Sequence, residues 1–328
     1  MADIALTEQM VSLPDRAHAI RRGGARDMQF RMFTLAAALI VVGIFAGVIA
    51  SLVIGAMPAI KAFGLAFIWT DKWNAVTEKF GALPSIFGTL VTSFLAMFIA
   101  VPVGIGIAIF LTEICPRFLR RPIGIAVELL AAVPSIIYGI WGLFVFAPWF
   151  QEHVQTWIVD AVVDIPILQD IFAGPPYGIG VFTGALILSI MVLPYISAVT
   201  RDVFETVPPM LQEAAYGLGC TTWEVMWRVV LPFSRAGVVG GAMLGLGRAL
   251  GETMAITFVI GNAHHLPNSL FAPGTTISAT IANEFTEALG DLYAPSLIYL
   301  GLILFFITFI VLASAQLMLR ALERRAGT

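Results

Sequence analysis

Charge is scarce in this sequence, and lysine is scarcer still. Of 328 residues only 12% are Asp, Glu, Lys or Arg; three are lysine (Lys61, Lys72 and Lys79) and two are cysteine (Cys115 and Cys220). Each shortage excludes something. With 59% hydrophobic residues and a mean hydropathy of +0.92, the chain lies far outside soluble globular usage. The lipid bilayer is its main solvent, and no nucleic-acid partner is expected. A phosphate-cradling loop needs Gly-Lys-Ser or Gly-Lys-Thr, whereas the lysines here follow Ile60, Asp71 and Glu78. This chain therefore carries no such ATPase site. The two cysteines form no Cys-x-x-Cys pair, and both fall on the side assigned below to the cytoplasm, where thiols stay reduced. Neither a disulfide nor a metal site is expected.

What the sequence does have is long apolar runs. A spanning helix needs roughly 20 mostly apolar residues, and six stretches qualify, near 32 to 60, 82 to 112, 122 to 148, 178 to 200, 236 to 262 and 292 to 319. The expected fold is all-α, a polytopic membrane protein with six transmembrane helices. The first stretch starts too far from Met1, and runs too long, for a cleaved signal peptide, so it reads as a retained span. Residues 1–31 form a cytoplasmic tail, loose and without a packed core around Pro14 and Gly23-Gly24. The first span covers 32–60, and a core permease domain covers 80–322, with a cytoplasmic loop at 204–234.

Arginine sets the orientation. Arg16, Arg21, Arg22, Arg26 and Arg31 precede the first stretch; Arg117, Arg120 and Arg121 follow the second; Arg201, Arg228 and Arg235 flank the loop after the fourth; Arg320, Arg324 and Arg325 follow the sixth. The opposite loops hold the three lysines, all in the first of them, while the other two carry Glu152, Asp160, Asp164, Asp170, Glu284, Glu287 and Asp291. Positive charge stays inside, which puts both termini in the cytoplasm. An even number of spans requires the same.

The loop at 204–234 is the most specific segment. Pro208-Pro209 precedes the helix-forming run Met210 to Leu218, Gly219 ends it, and Leu231-Pro232 marks the return into the membrane. An amphipathic helix lying on the interface would account for the run alone. The spacing goes further. Glu213-Ala214-Ala215, then Gly219, then Val229, Leu231 and Pro232 resembles the cytoplasmic Glu-Ala-Ala loop of ABC importer permeases, departing only at Val229, where Ile is usual. The resemblance implies a coupling helix seated on an ATPase subunit, with ATP and Mg bound by that partner and no cofactor on this chain.

Three charges lie inside the apolar stretches: Glu128 in the third, Arg248 and Glu252 in the fifth. Each costs roughly 2.5 to 3.5 kcal/mol on insertion scales and needs a cavity or a partner. On a continuous helix Gly241, Gly245, Arg248 and Glu252 share one sector, and Arg248 with Glu252 has the i,i+4 spacing of an ion pair. Gly240, Gly247 and Gly251 form a second small face. Two readings stand. Either the pair neutralises itself and holds helices together, or Arg248, whose planar fork suits oxyanions, faces an anion pathway with Glu252 orienting it. Glu128 lies near the cytoplasmic boundary and reads as a pathway or a structural residue. Pro102 and Pro134 each remove a backbone hydrogen bond and read as kinks or hinges. His153 and His264-His265 read as solvated residues of external loops.

Gly247-Arg248-Ala249-Leu250-Gly251-Glu252-Thr253-Met254-Ala255, with Gly261-Asn262, resembles the fifth-span signature of the phosphate-specific importer permeases. Glu128 to Gly139, Phe271 to Thr276 and Ile281 to Phe285 support it, the last two placed outside the membrane, so that most of residues 80–320 is covered. The resemblance implies a MetI-like permease fold and a phosphate importer in which Arg248 and Glu252 serve substrate passage. It also implies a second permease subunit, an ATPase dimer, an external phosphate-binding protein and alternating access. An importer for sulfate, molybdate or phosphonate shares these features. An ion-coupled secondary carrier, or a scaffold that only recruits an ATPase, stays open on the charges alone.

Overall fold

The computed structural model describes residues 13–162, 165–172 and 174–325; among them the regular structure is helical, with two isolated bridges, Asn74–Lys79 and Gly261–Gly274, as the β pairing. Five helices are long and apolar enough to cross a membrane: Asp27–Phe63, Leu83–Ile114, Val181–Glu205, Thr222–Leu250 and Tyr293–Ala321. A sixth span is the bent pair Arg117–Ala132 and Ser135–Val162. The six apolar stretches of the sequence are thus met, but two of them are not single helices.

We number the elements used below α1 (Leu13–Phe63), α2 (Leu83–Ile109), α3 (Arg117–Ala132), α4 (Ser135–Trp141), α5 (Val181–Glu205), α6 (Pro209–Gly217), α7 (Leu231–Leu250), α8 (Met254–Val259), α9 (Ile277–Glu284) and α10 (Tyr293–Arg325). The chain divides after Ile54. The upstream unit is helical from Leu13, so residues 13–31, expected to be loose, continue the helix through Gly23-Gly24; good helix formers flank that pair. Residues 1–12 of the expected tail lie outside the described residues. In this unit Phe33, Val42 and Ile44 are all exposed, the surface of a helix made for lipid.

The downstream unit has its core where α2 and α5 cross. Ala96 and Ala100 of α2 meet Ile187, Leu188, Met191, Val192 and Ile196 of α5, with Ala255, Ile256 and Val259 of α8 closing the cluster. Lipid is as apolar as leucine, so helices here associate through close packing of small residues rather than through escape from water. Gly104 shows the consequence: a Cβ there would lie 2.9 Å from the Ile196 side chain.

The segment from Phe271 to Glu284 is folded into the protein rather than left as an open loop. Thr275, Thr276, Ile277, Ala279 and Thr280 are buried. Buried backbone must find partners within the protein, and a hydroxyl of α2 supplies one: Ile277 N–H donates to Thr89 Oγ1 at 2.9 Å, while Ser85 Oγ meets the Thr280 side chain, Oγ1, at 3.1 Å. Gly88 is required here because a Cβ would fall 1.8 Å from the Thr275 carbonyl oxygen.

His264 also departs from expectation. Its Nε2 lies 2.5 Å from Glu284 Oε1, while Trp73 Nε1–H and the Tyr293 hydroxyl donate to Glu284 Oε2 at 2.5 and 2.6 Å. Trp73 stacks on the His264 ring, 5.8 Å between centroids. Burial works against the Glu284 carboxylate, but the bonds from His264, Tyr293 and Trp73 outweigh it and hold its pKa below the usual value.

Candidate functional site

Both interrupted spans break in the middle of their apolar stretches. The third turns by 90° between α3 and α4, at Val133-Pro134. Pro134 has no N–H for the Leu130 carbonyl, four residues back. The Tyr138 hydroxyl takes its place at 2.8 Å. The fifth stretch ends its first helix at Leu250, passes through Gly251 (φ −94°, ψ 0°) and restarts at Met254. The second halves pack directly on each other: a Cβ on Gly139 of α4 would lie 3.0 Å from the Met254 carbonyl oxygen. Interrupted helices at membrane depth occur where protein or a water-filled cavity satisfies the freed backbone, and they commonly bound transport sites.

This break separates Arg248 from Glu252, and the expected i,i+4 ion pair does not form. Glu252 lies beyond the end of α7, is 8% exposed, and accepts the Ala255 N–H at 3.2 Å. A carboxylate there satisfies an otherwise orphaned donor in the first turn of α8 and complements its dipole. The ion pairs among the described residues are those of Arg201 and His264, and none reaches Arg248.

Arg248 rests instead on an aromatic face. Gly241 and Gly245 of α7 press against Val192, Ile196 and Val199 of α5; a Cβ on Gly245 would lie 2.9 Å from both Val192 and Ile196 side chains. One turn further along the same contact, the Arg248 guanidinium carbon lies 4.8 Å from the centroid of the Tyr195 ring, within cation–π range. The second glycine face points elsewhere. Gly240 has open space beside it, and Gly247 touches only Leu312. With Tyr195, Arg248 and Gln316 they line a groove of about 710 Å³. Sequence reasoning missed Tyr195 and Gln316. A hydroxyl-bearing ring in mid-span, one residue after Pro194, was the available signal for the first; nothing marked the second.

Glu128 is not in this groove. Its Oε1 lies 2.8 Å from Arg201 on the last turns of α5, which also meets Asp202 at 3.1 Å and Glu205 at 4.0 Å.

Beyond the C-terminal end of α5, α6 carries Glu213, Ala214 and Ala215. Ala215 is buried among Phe204, Val207, Val225 and Val230, while Glu213 and Ala214 are exposed beside Met210 and Leu218. Gly219 has φ +86°, with Gly219 N–H bonded to the Tyr216 carbonyl at 2.9 Å and Cys220 N–H to the Ala215 carbonyl at 3.2 Å. That is a Schellman stop, and a glycine suits its left-handed residue. A reciprocal cap then restarts the helix: Thr221 N–H donates to Glu224 Oε2 at 2.9 Å, and Glu224 N–H to Thr221 Oγ1 at 3.3 Å. The helix that leads into α7 therefore begins at Thr222, ahead of Leu231-Pro232. Those two sit inside a continuous helix, just after a π-turn at Met226–Val230. The wider turn accommodates a proline that cannot donate.

The family described as Binding-protein-dependent transport system inner membrane component matches residues 100–328. A protein of Mesorhizobium japonicum, Phosphate transport system permease protein PstC, is 61% identical over 312 residues, 95% of each chain. Its Pasteurella multocida namesake is 56% identical over 301 residues, 92% of this chain and 94% of its own. In a crystal structure of a bacterial ABC transporter involved in alginate import, one chain superposes with a TM-score of 0.60 at 18% identity, covering 90% of this chain and 98% of that one; this bears on the fold alone. A multi-pass inner-membrane permease subunit, a transporter component rather than an enzyme, is the class these features define. The chain belongs to the binding-protein-dependent transport system inner membrane component family, and within it to the PstC-type permeases.

Proposed function

We propose that this chain forms part of the path for inorganic phosphate through an ATP-driven importer, and that Arg248 lies on that path. One observation carries the reading: an arginine in mid-span with no ion-pair partner among the described residues, held on the Tyr195 ring beside an open groove. An uncompensated guanidinium is costly in a membrane. A transient oxyanion is the compensation it suits, since the planar fork donates paired bonds at any working pH. Glu252 serves the path indirectly by fixing the start of α8.

The groove is open on one side, which fits a path completed by a second permease subunit. Two copies of an ATPase subunit would bind ATP and Mg and seat α6 through Glu213, Ala214 and Ala215; an external phosphate-binding protein would deliver the anion. Both termini would be cytoplasmic. The linkage to ATP is mechanical: from Thr222 to Leu250 the helix runs unbroken for 29 residues, about 43 Å, from the stop at Gly219 to the turn that carries Arg248. Displacement of α6 is thereby delivered near the interruptions of both spans. Release demands that Arg248 hold phosphate weakly, because a site that fully replaces hydration also traps its cargo.

The test is labelled-phosphate uptake by the assembled importer in cells lacking their own, with excess sulfate or molybdate as competitor. Uptake that needs the ATPase and resists competition supports phosphate. An assembled complex that moves none points to another oxyanion, and uptake that survives loss of the ATPase but collapses with an ionophore points to an ion-coupled carrier.

A further inference from the structure

The Tyr195 side chain is engaged at both ends. Its ring lies beneath Arg248 at 4.8 Å, and its hydroxyl donates to the Ala131 carbonyl at 3.2 Å. That carbonyl belongs to the last turn of α3. In an uninterrupted helix it would accept from the N–H of Ser135, four residues on, but the chain turns by 90° at Val133-Pro134 and the bond is lost. The neighbouring Leu130 carbonyl is satisfied by Tyr138. Two tyrosine hydroxyls therefore replace two backbone donors at the interruption, and one of those tyrosines also carries the arginine.

We propose that Tyr195 is a positioning residue for the anion path, tying the place of Arg248 to the interruption of the third span. This rests on the reading of Arg248 as a path residue. A buried carbonyl without a donor is costly in lipid, so the Tyr195 hydroxyl follows the end of α3. The ring is rigid, and the guanidinium follows the ring. A change of angle at Val133-Pro134 thus repositions the cation without any contact between α3 and Arg248. Pro194, immediately before Tyr195, lies within α5, and its own missing N–H leaves α5 one fewer bond to resist a small adjustment there.

The experiment uses the complete importer in proteoliposomes and reads labelled phosphate moved per ATP hydrolysed, with assembly checked by size-exclusion chromatography. Tyr195→Leu removes both ends of the contact and is expected to lower phosphate per ATP about tenfold while ATP hydrolysis persists. Tyr195→Phe keeps the ring and loses the hydroxyl; about a threefold loss is expected. Tyr195→Leu matching the unmodified chain overturns the proposal, as does a parallel fall in ATP hydrolysis and uptake, which marks a merely structural residue. Tyr195→Phe matching Tyr195→Leu removes the role of the ring, and Tyr195→Phe matching the unmodified chain removes the link to Ala131. If Tyr195→Leu does not assemble, Tyr195→Met, similar in bulk and without a π face, takes its place with the same expectations. Arg248→Ala run alongside separates the two levels: full uptake there defeats the path reading itself, whereas lost uptake with an unaffected Tyr195→Leu defeats only the positioning role.

Discussion

Glu128 and Arg201 lie 2.8 Å apart and join α3 to the C-terminal end of α5. The pair explains Glu128 without reference to transport. Its carboxylate side chain is 47% exposed and the guanidinium 22%, so the attraction is largely screened and worth about 1 kcal/mol or less. Arg201 keeps Asp202 and Glu205 when Glu128 is removed. Glu128→Gln is therefore expected to leave uptake within about twofold and to lower the melting temperature of the complex by only a few degrees. Uptake reduced more than tenfold in an assembled complex would return Glu128 to the path.

The cluster of Trp73, His264, Glu284 and Tyr293 should respond to acid through Glu284. Its folded pKa is depressed, so the stability it adds is present above the unfolded carboxylate value, about 4.3, and is lost as pH falls through the lower folded value. His264 contributes an ion pair while its imidazolium is charged, and Trp73 and Tyr293 contribute neutral donors. Glu284→Gln removes a buried acceptor of charge-assisted bonds and should cost about 1 to 3 kcal/mol at neutral pH. Melting of the two complexes followed from pH 7 downwards checks this. The gap should persist down to the ordinary carboxylate range and close only below it; a gap already closed well above that range would mean that the ionised carboxylate does not supply the stabilisation.

Gly219 should be intolerant for a backbone reason. At φ +86° a side chain adds about 1 kcal/mol of strain, more if β-branched, although open space surrounds it. Gly219→Ala should assemble and transport at reduced rate, and Gly219→Val should uncouple, with ATP hydrolysis no longer matched by uptake. Glu213→Ala should uncouple without strain, because Glu213 is exposed on α6 and its loss disturbs only an outside contact. If Gly219→Val transports normally, the Schellman stop is not what aligns α6.

The spans were legible in the sequence because hydropathy reports directly on solvent, and the stop at Gly219 because glycine in a left-handed cap leaves a local mark. The interruptions were not. Pro134 is compatible with a static kink, and Gly247 to Ala255 has ordinary helix formers on both sides of Gly251; whether a helix breaks there depends on α4 packing against Met254 and Ala255, which no local pattern encodes. Treating the fifth stretch as continuous produced the Arg248–Glu252 pair, and the end of α7 at Leu250 dissolved it. The packing of Phe271 to Glu284 was hidden as well, because its partners are distant in sequence: Thr280 Oγ1 meets Ser85 Oγ, and the Ile277 N–H meets Thr89 Oγ1.

Arg248 gives the sharpest prediction, because its neighbours fix what each substitution removes. Arg248→Ala leaves Tyr195 with its bond to Ala131 and empties one wall of the groove without orphaning a carboxylate, since none is paired to it among the described residues. The complex should therefore assemble and hydrolyse ATP, while phosphate uptake falls on the order of a hundredfold, the scale seen when one preorganised donor to an anion is lost. Arg248→Lys keeps the charge and the cation–π contact but not the planar fork, and an intermediate loss of about tenfold is expected. Were Arg248→Lys as damaging as Arg248→Ala, paired hydrogen bonds would matter more than charge. Failure of Arg248→Ala to assemble would instead assign the residue to helix packing against α5.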